Sequence, residues 1–187
     1  MSEFRLIVKA ADFAARAHAH QKRKDETTPY FHHLAEVAWL LASAGSDGNV
    51  VAAGYLHDII EDADVTYETL RAEFGEDVAG LVRAVTDDKR LPQHVRKRLQ
   101  IEHAPQAPAR VANLKTADKI SNLRSILDAP PPRWPEERRA QYVAWAHAVV
   151  TRLHGIHPEL LRQYEAIRKK LLARHPLATA APVYAES

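Results

Sequence analysis

The chain has 187 residues, 46% of them hydrophobic, with 26 basic and 24 acidic side chains and a formal net charge of +2. That is enough apolar matter for one domain with a real core, and too little net charge to argue for nucleic acid as a partner. There is no cysteine, so disulfides and thiolate metal sites are excluded; any metal must be held by carboxylates and by some of the eleven histidines.

The first residues lack a signal-peptide core, and no apolar run is long enough to cross a bilayer. A cytoplasmic protein without membrane contacts is expected. Glycine is scarce and Ala, Leu, Arg and Glu are abundant, which favours helices. The predicted fold class is all-α, a single domain of about eight to ten helices.

In chain order, Phe4 to about His20 reads as a helix, with Ile7, Ala10, Phe13, Ala14 and Ala17 on one stripe. A polar loop, QKRKDETTP, follows. Tyr30 to about Ala44 is helical and stops at Gly45. Ser46-Asp47-Gly48-Asn49 is a turn with capping chemistry, and Val50 to about Asp62 is predicted as one continuous third helix. Thr66 caps a short helix that ends at Phe74-Gly75, and Glu76–Val85 is another. Gln93 to Ala104 is helical, as is Ala109 to about Leu127. Residues 128–132, DAPPP, form a rigid break between helices. Pro135 opens a helix predicted to reach Gly155, and Pro158 opens the last, to about Arg174. The domain is placed at 1–175, with 176–187 as a flexible tail.

The third helix is apolar on all sides from Val50 to Leu56, the pattern of a buried helix. It runs into His57-Asp58 and then Glu61-Asp62. An unpaired carboxylate at the end of a core helix costs several kcal/mol, so a basic partner or a metal is needed there. In a continuous helix Glu61 would lie one turn above His57 and Asp58. The plain alternative is a capped helix end leading into a solvated acidic loop. Asp118, in NLKTADKISNLR, lies on a stripe of small and polar residues; alone it would read as a salt bridge with Lys115 or Lys119. His33 precedes Val37, Leu40 and Leu41 on a core-facing stripe, where a lone histidine is usually a hydrogen-bonded core residue. Taken together, two histidines and two aspartates make a donor set that suits Mn²⁺, Fe²⁺ or Zn²⁺. Arg96-Lys97-Arg98 and Arg168-Lys169-Lys170 read as solvated helix faces.

His33, then His57-Asp58, then Asp118 on three helices resembles the HD superfamily of metal-dependent phosphohydrolases. ADFAARAHAHQKRKDETTPYFHHLAEVA, YLHDIIEDADVTYETLRAEFGEDVAGLVRAVTDD, NLKTADKISNLR and YVAWAHAVVTRLHG resemble, in order, the hydrolase domain of RelA/SpoT homologues, and above all the stand-alone small alarmone hydrolases. The resemblance implies an HD-type helical fold and Mn²⁺-dependent removal of the 3′-pyrophosphate from (p)ppGpp. It implies His33, His57, Asp58 and Asp118 as metal ligands, and Glu61 and Asp62 as the pair that activates water. It also implies Arg23, Lys24, Asn122, Arg138 and Tyr142 as contacts to a small nucleotide substrate. With no length left for a synthetase, the chain is expected to degrade alarmone and not to make it. The family's Asn-His-Pro is His32-His33-Leu34 here; alignment on Pro29-Tyr30 selects His33, with His32 as its competitor. An adenosine alarmone, the 2′-phosphate of NADPH, or a catalytically silent nucleotide sensor are the rival readings. The sequence leaves the oligomeric state open.

Overall fold

The computed structural model describes residues 2–174, so the tail expected at 176–187 lies outside the described residues. Helices are the regular structure of those residues, which form no strand; Lys22 and Pro29 make one isolated antiparallel bridge. The chain divides into two compact units at Asp87/Asp88.

The first unit holds α1 (Glu3–Ala17), α2 (Phe31–Ser43), α3 (Gly48–Leu56), α4 (Ile59–Asp62), α5 (Tyr67–Phe74) and α6 (Glu76–Val85). α3 is its centre, with α1, α2 and α6 packed against it. The all-round apolar pattern has its expected consequence: Val50, Val51, Ala52, Ala53, Gly54 and Leu56 are all buried. Asp47 caps α3, its Oδ1 accepting from the backbone N–H groups of Asn49 and Val50 at 3.1 and 3.2 Å. Thr66 caps α5 in the same manner. The buried stripe of α1 is Leu6, Ala10, Ala14 and then His18, while Ile7, Phe13 and Ala17 are only half-buried on its flank. The helix stops at Ala17, three residues short of the expected His20, because His18 turns inward and the chain reverses into the basic loop.

The predicted third helix is in fact two. α3 ends at Leu56, His57 continues in helical conformation, and Asp58 opens to φ −98°, ψ 0°. Helix then restarts, with the Asp58 carbonyl accepting from the N–H groups of Glu61 (3.1 Å) and Asp62 (2.9 Å). The turn lets Ile59 stay buried while Asp62 faces water.

The second unit holds α7 (Gln93–His103), α8 (Ala109–Asp128), α9 (Glu136–Val150) and α10 (Pro158–Arg174), with a 3₁₀ turn at Ala104–Gln106 that carries the chain through Pro105. α8 packs on α9 and α10, and α7 on α9. The Trp145 indole N–H donates to the Lys97 carbonyl at 3.1 Å, tying α9 to α7. Pro135 sits one residue before α9. α9 ends at Val150 and not at Gly155: the Thr151 hydroxyl donates to the His147 carbonyl at 2.7 Å, and the chain turns there.

Candidate metal and nucleotide site

His33, His57 and Asp58 form a group in the first unit whose ligand atoms all lie within 4.8 Å of one another. α2 supplies His33, three residues into the helix, and the junction of α3 and α4 supplies the other two. The helices come close because Gly54 lacks a side chain. A Cβ there would lie 3.0 Å from the Ala38 Cα on α2 and 2.9 Å from the Leu41 Cδ1.

Both imidazoles are buried, at 3% and 4% exposure, whereas His32 next door is exposed. Asp58 Oδ2 lies 3.2 Å from His57 Nε2 and 3.6 Å from His33 Nε2. His57 Nδ1 is 2.9 Å from the Gly54 carbonyl. A carbonyl can only accept, so Nδ1 carries a hydrogen there, and Nε2 is the nitrogen that faces Asp58. Two imidazole nitrogens on buried side chains and a carboxylate oxygen on a half-buried one suit a divalent transition metal. Burial works against charge on Asp58, but His57 and His33 beside it outweigh that and hold its carboxyl well below the usual carboxylate range. The Tyr30 hydroxyl donates to the same oxygen at 2.5 Å. Burial first, and the Asp58 charge second, push that phenol far above its ordinary pKa, so it remains a donor.

Glu61 is half-buried, and its Oε1 accepts the backbone N–H of Asp87 at 2.7 Å. The Asp62 side chain is exposed, while its carbonyl accepts from Gln21 Nε2 at 2.6 Å. The QKRKD loop is a compact turn. The Arg23 N–H donates to the Thr28 carbonyl at 2.8 Å, and Asp25 Oδ1 accepts from the N–H groups of Thr27 and Thr28. The Thr28 hydroxyl is the main cause holding the Asp25 carboxyl down at about 2. The Arg23 guanidinium lies 5.8 Å from the centre of the Tyr30 ring, and Lys24 is exposed.

The remaining expected residues lie in the second unit. Asp118 is half-buried on α8; its Oδ2 pairs with Lys119 Nζ at 2.8 Å and its Oδ1 accepts from Asn122 Nδ2 at 2.5 Å. The salt bridge that the bland reading of Asp118 expected is therefore present. Lys119 is itself buried, with its ammonium 4.5 Å from the Trp145 ring. Tyr142 is half-buried between Trp134 and Trp145, at centroid distances of 5.8 and 5.2 Å. Arg138 is exposed and covers Trp134 at 4.4 Å. Arg96, Lys97 and Arg98 are half-buried, not the solvated face the charge run suggested. The Lys97 ammonium lies over the rings of Tyr142 and Trp145, at 5.3 and 4.7 Å, and carries its charge on aromatic faces.

Sequence reasoning missed three contributors to the first unit's site. His18, Gln21 and Tyr30 link the basic loop to Asp58 and Asp62. One signal was present: the i, i+4 series Leu6, Ala10, Ala14 continues directly to His18.

An HD domain family model matches residues 10–153, across both units. Guanosine-3′,5′-bis(diphosphate) 3′-pyrophosphohydrolase MESH1 of Xenopus tropicalis is 45% identical over 157 residues, which are 82% of this chain and 88% of that protein. The Homo sapiens protein of the same name is 44% identical over 179 residues, 94% of this chain and 98% of that one. A solved structure of a metazoan orthologue of SpoT that hydrolyses ppGpp and plays a role in starvation responses aligns at a TM-score of 0.85. It has 40% sequence identity and covers 89% of this chain and 95% of its own. A His-His-Asp group with both imidazoles buried on a helical fold, the family model over most of the chain, and likeness of this extent to the MESH1 proteins lead to one conclusion: the chain belongs to the HD domain family.

Proposed function

We propose that this protein removes the 3′-pyrophosphate from (p)ppGpp, as a metal-dependent guanosine-3′,5′-bis(diphosphate) 3′-pyrophosphohydrolase. The observation that carries the reading is the clustered His33–His57–Asp58 group in a chain whose likeness to MESH1 proteins runs through most of its length. Hydrolysis adds water across the bond between the 3′-oxygen and its phosphorus, returning a 3′-hydroxyl and releasing intact pyrophosphate.

The three clustered side chains hold a divalent metal, with Asp118 proposed as a fourth ligand and Mn²⁺ as the native ion. Such an ion, when bound, lowers the pKa of water and polarises a phosphoryl oxygen. Glu61 accepts the proton from the attacking water, with Asp62 beside it. The cations of Arg23 and Lys24 hold the substrate's phosphates on the compact loop, and Asn122, Arg138 and Tyr142 contact the nucleotide. No described helix is long and apolar enough to cross a membrane, and a cytoplasmic location fits a nucleotide substrate.

The test offers purified protein with Mn²⁺ a panel of ppGpp, pppGpp, ppApp and NADPH and separates the products by chromatography. GDP from ppGpp and GTP from pppGpp, each with pyrophosphate, are expected. Orthophosphate as the sole product from ppGpp would contradict the reaction. Turnover confined to ppApp or NADPH would transfer the site to that substrate, and no turnover at all would leave a sensor.

A further inference from the structure

We propose that Tyr30 is a positioning residue: its hydroxyl fixes the Asp58 carboxylate and thereby sets the affinity of the His33–His57–Asp58 group for a divalent metal. The proposal rests on the reading that this group holds such an ion.

Asp58 occupies the position before the first residue of α4, where an aspartate usually spends its carboxylate on capping the helix. Here it makes no such cap. Its backbone carbonyl begins the α4 ladder by accepting from the N–H groups of Glu61 and Asp62, and its carboxylate is left for partners outside that helix. The Tyr30 hydroxyl is one such partner, beside the two imidazoles. It donates to Oδ2, the same oxygen that faces both imidazole Nε2 atoms. A carboxylate oxygen has two lone pairs, so Oδ2 can accept from the phenol and still offer a pair to a cation.

Tyr30 is itself held from several sides. Its ring stacks on the buried His18 at 5.2 Å and meets the His33 ring edge-on at 5.6 Å. Its N–H donates to the Gln21 carbonyl at 2.9 Å, and its carbonyl accepts from the His33 N–H at 3.0 Å. One residue thus orients the carboxylate ligand through its hydroxyl and packs against one imidazole ligand through its ring. A tyrosine that merely filled space would be equally served by phenylalanine, and the contrast between the two is the test.

Chelator-treated wild type, Tyr30→Phe and Asp58→Asn would be titrated with Mn²⁺ by calorimetry, with circular dichroism and melting of the metal-free proteins alongside. Tyr30→Phe removes one oxygen and keeps the stacked ring, so it should fold. Loss of a partner that orients a metal ligand weakens metal binding by about 10–100-fold, and a rise of that size in the Mn²⁺ Kd is expected. The Mn²⁺ concentration for half-maximal activity should rise by the same factor. A lower melting temperature with an unchanged Mn²⁺ Kd would reduce Tyr30 to a packing role and overturn the proposal. Absence of Mn²⁺ binding in wild type, or undiminished binding in Asp58→Asn, would instead remove the metal reading and this inference with it.

Discussion

Glu61 has two demands on one carboxylate. Its Oε1 accepts the Asp87 N–H, which fixes the side chain and holds the end of the first unit in place. The proposed role as base requires the same group to take a proton from water. The two are compatible because a carboxylate has a second oxygen and further lone pairs. They are separable by mutation. Glu61→Gln keeps a carbonyl oxygen for the Asp87 N–H but gives up the basicity, so fold and metal content should stay while kcat falls about 10²–10⁴-fold. Steady-state kinetics with elemental analysis would decide. Wild-type turnover with metal in place would remove Glu61 from the role of base and leave Asp62 as the candidate. At this scale the sequence was informative about residue types but not about their neighbours. HDxxED announced a charged site at the end of a buried helix. Nothing in it announced that Tyr30 would reach Asp58, because that contact joins elements whose packing only the folded chain supplies. The exposure of His32 and burial of His33 follow from the core-facing stripe of Val37, Leu40 and Leu41, which was readable.

Among the elements, α3 shows why a glycine sits in a core helix despite costing roughly 1 kcal/mol in propensity. A Cβ at Gly54 would meet the α2 backbone at Ala38 at 3.0 Å, and the Gly54 carbonyl also orients His57. Gly54→Ala gains propensity but pushes a methyl group against Ala38 backbone, so α2 and α3 must separate. Overpacking of this kind costs about 1–3 kcal/mol. Because the two helices carry His33 and His57, separation should also weaken Mn²⁺ binding. Chemical denaturation of the metal-free variant, followed by Mn²⁺ titration, would test both. A more stable protein with unaltered affinity would show that the helices are not held at that spacing by the glycine. The same region marks the limit of pattern reading. Ile59 and Ile60 continue the apolar run after Asp58, so periodicity could not reveal that the backbone turns at Asp58. Caps and stops were more legible: Asp47, Thr66, Gly45 and Pro158 act where the sequence placed them, because their signals are local.

At the scale of the whole molecule, the proposed metal group joins α2 to the α3–α4 junction, so an ion bound there would report on folding. The unfolded chain does not hold His33, His57 and Asp58 together, and an ion that prefers the folded state adds stability by mass action. At a free concentration of 100 times Kd that amounts to about 2.7 kcal/mol. For a chain of this size each kcal/mol moves the melting temperature by about 2–4 °C, so a rise of about 5–10 °C is expected. Mn²⁺ should achieve it at far lower concentration than Mg²⁺, because two of the donors are imidazoles and Mg²⁺ prefers oxygen. Asp58→Ala should abolish the shift, since it removes the carboxylate clustered with the two imidazoles, whereas His32→Ala should retain it. Differential scanning fluorimetry of chelator-treated proteins across a metal series makes the comparison. A Mn²⁺ shift that survives in Asp58→Ala would mean that the ion stabilises the protein somewhere else, and the His33–His57–Asp58 group would lose its claim to be the metal site.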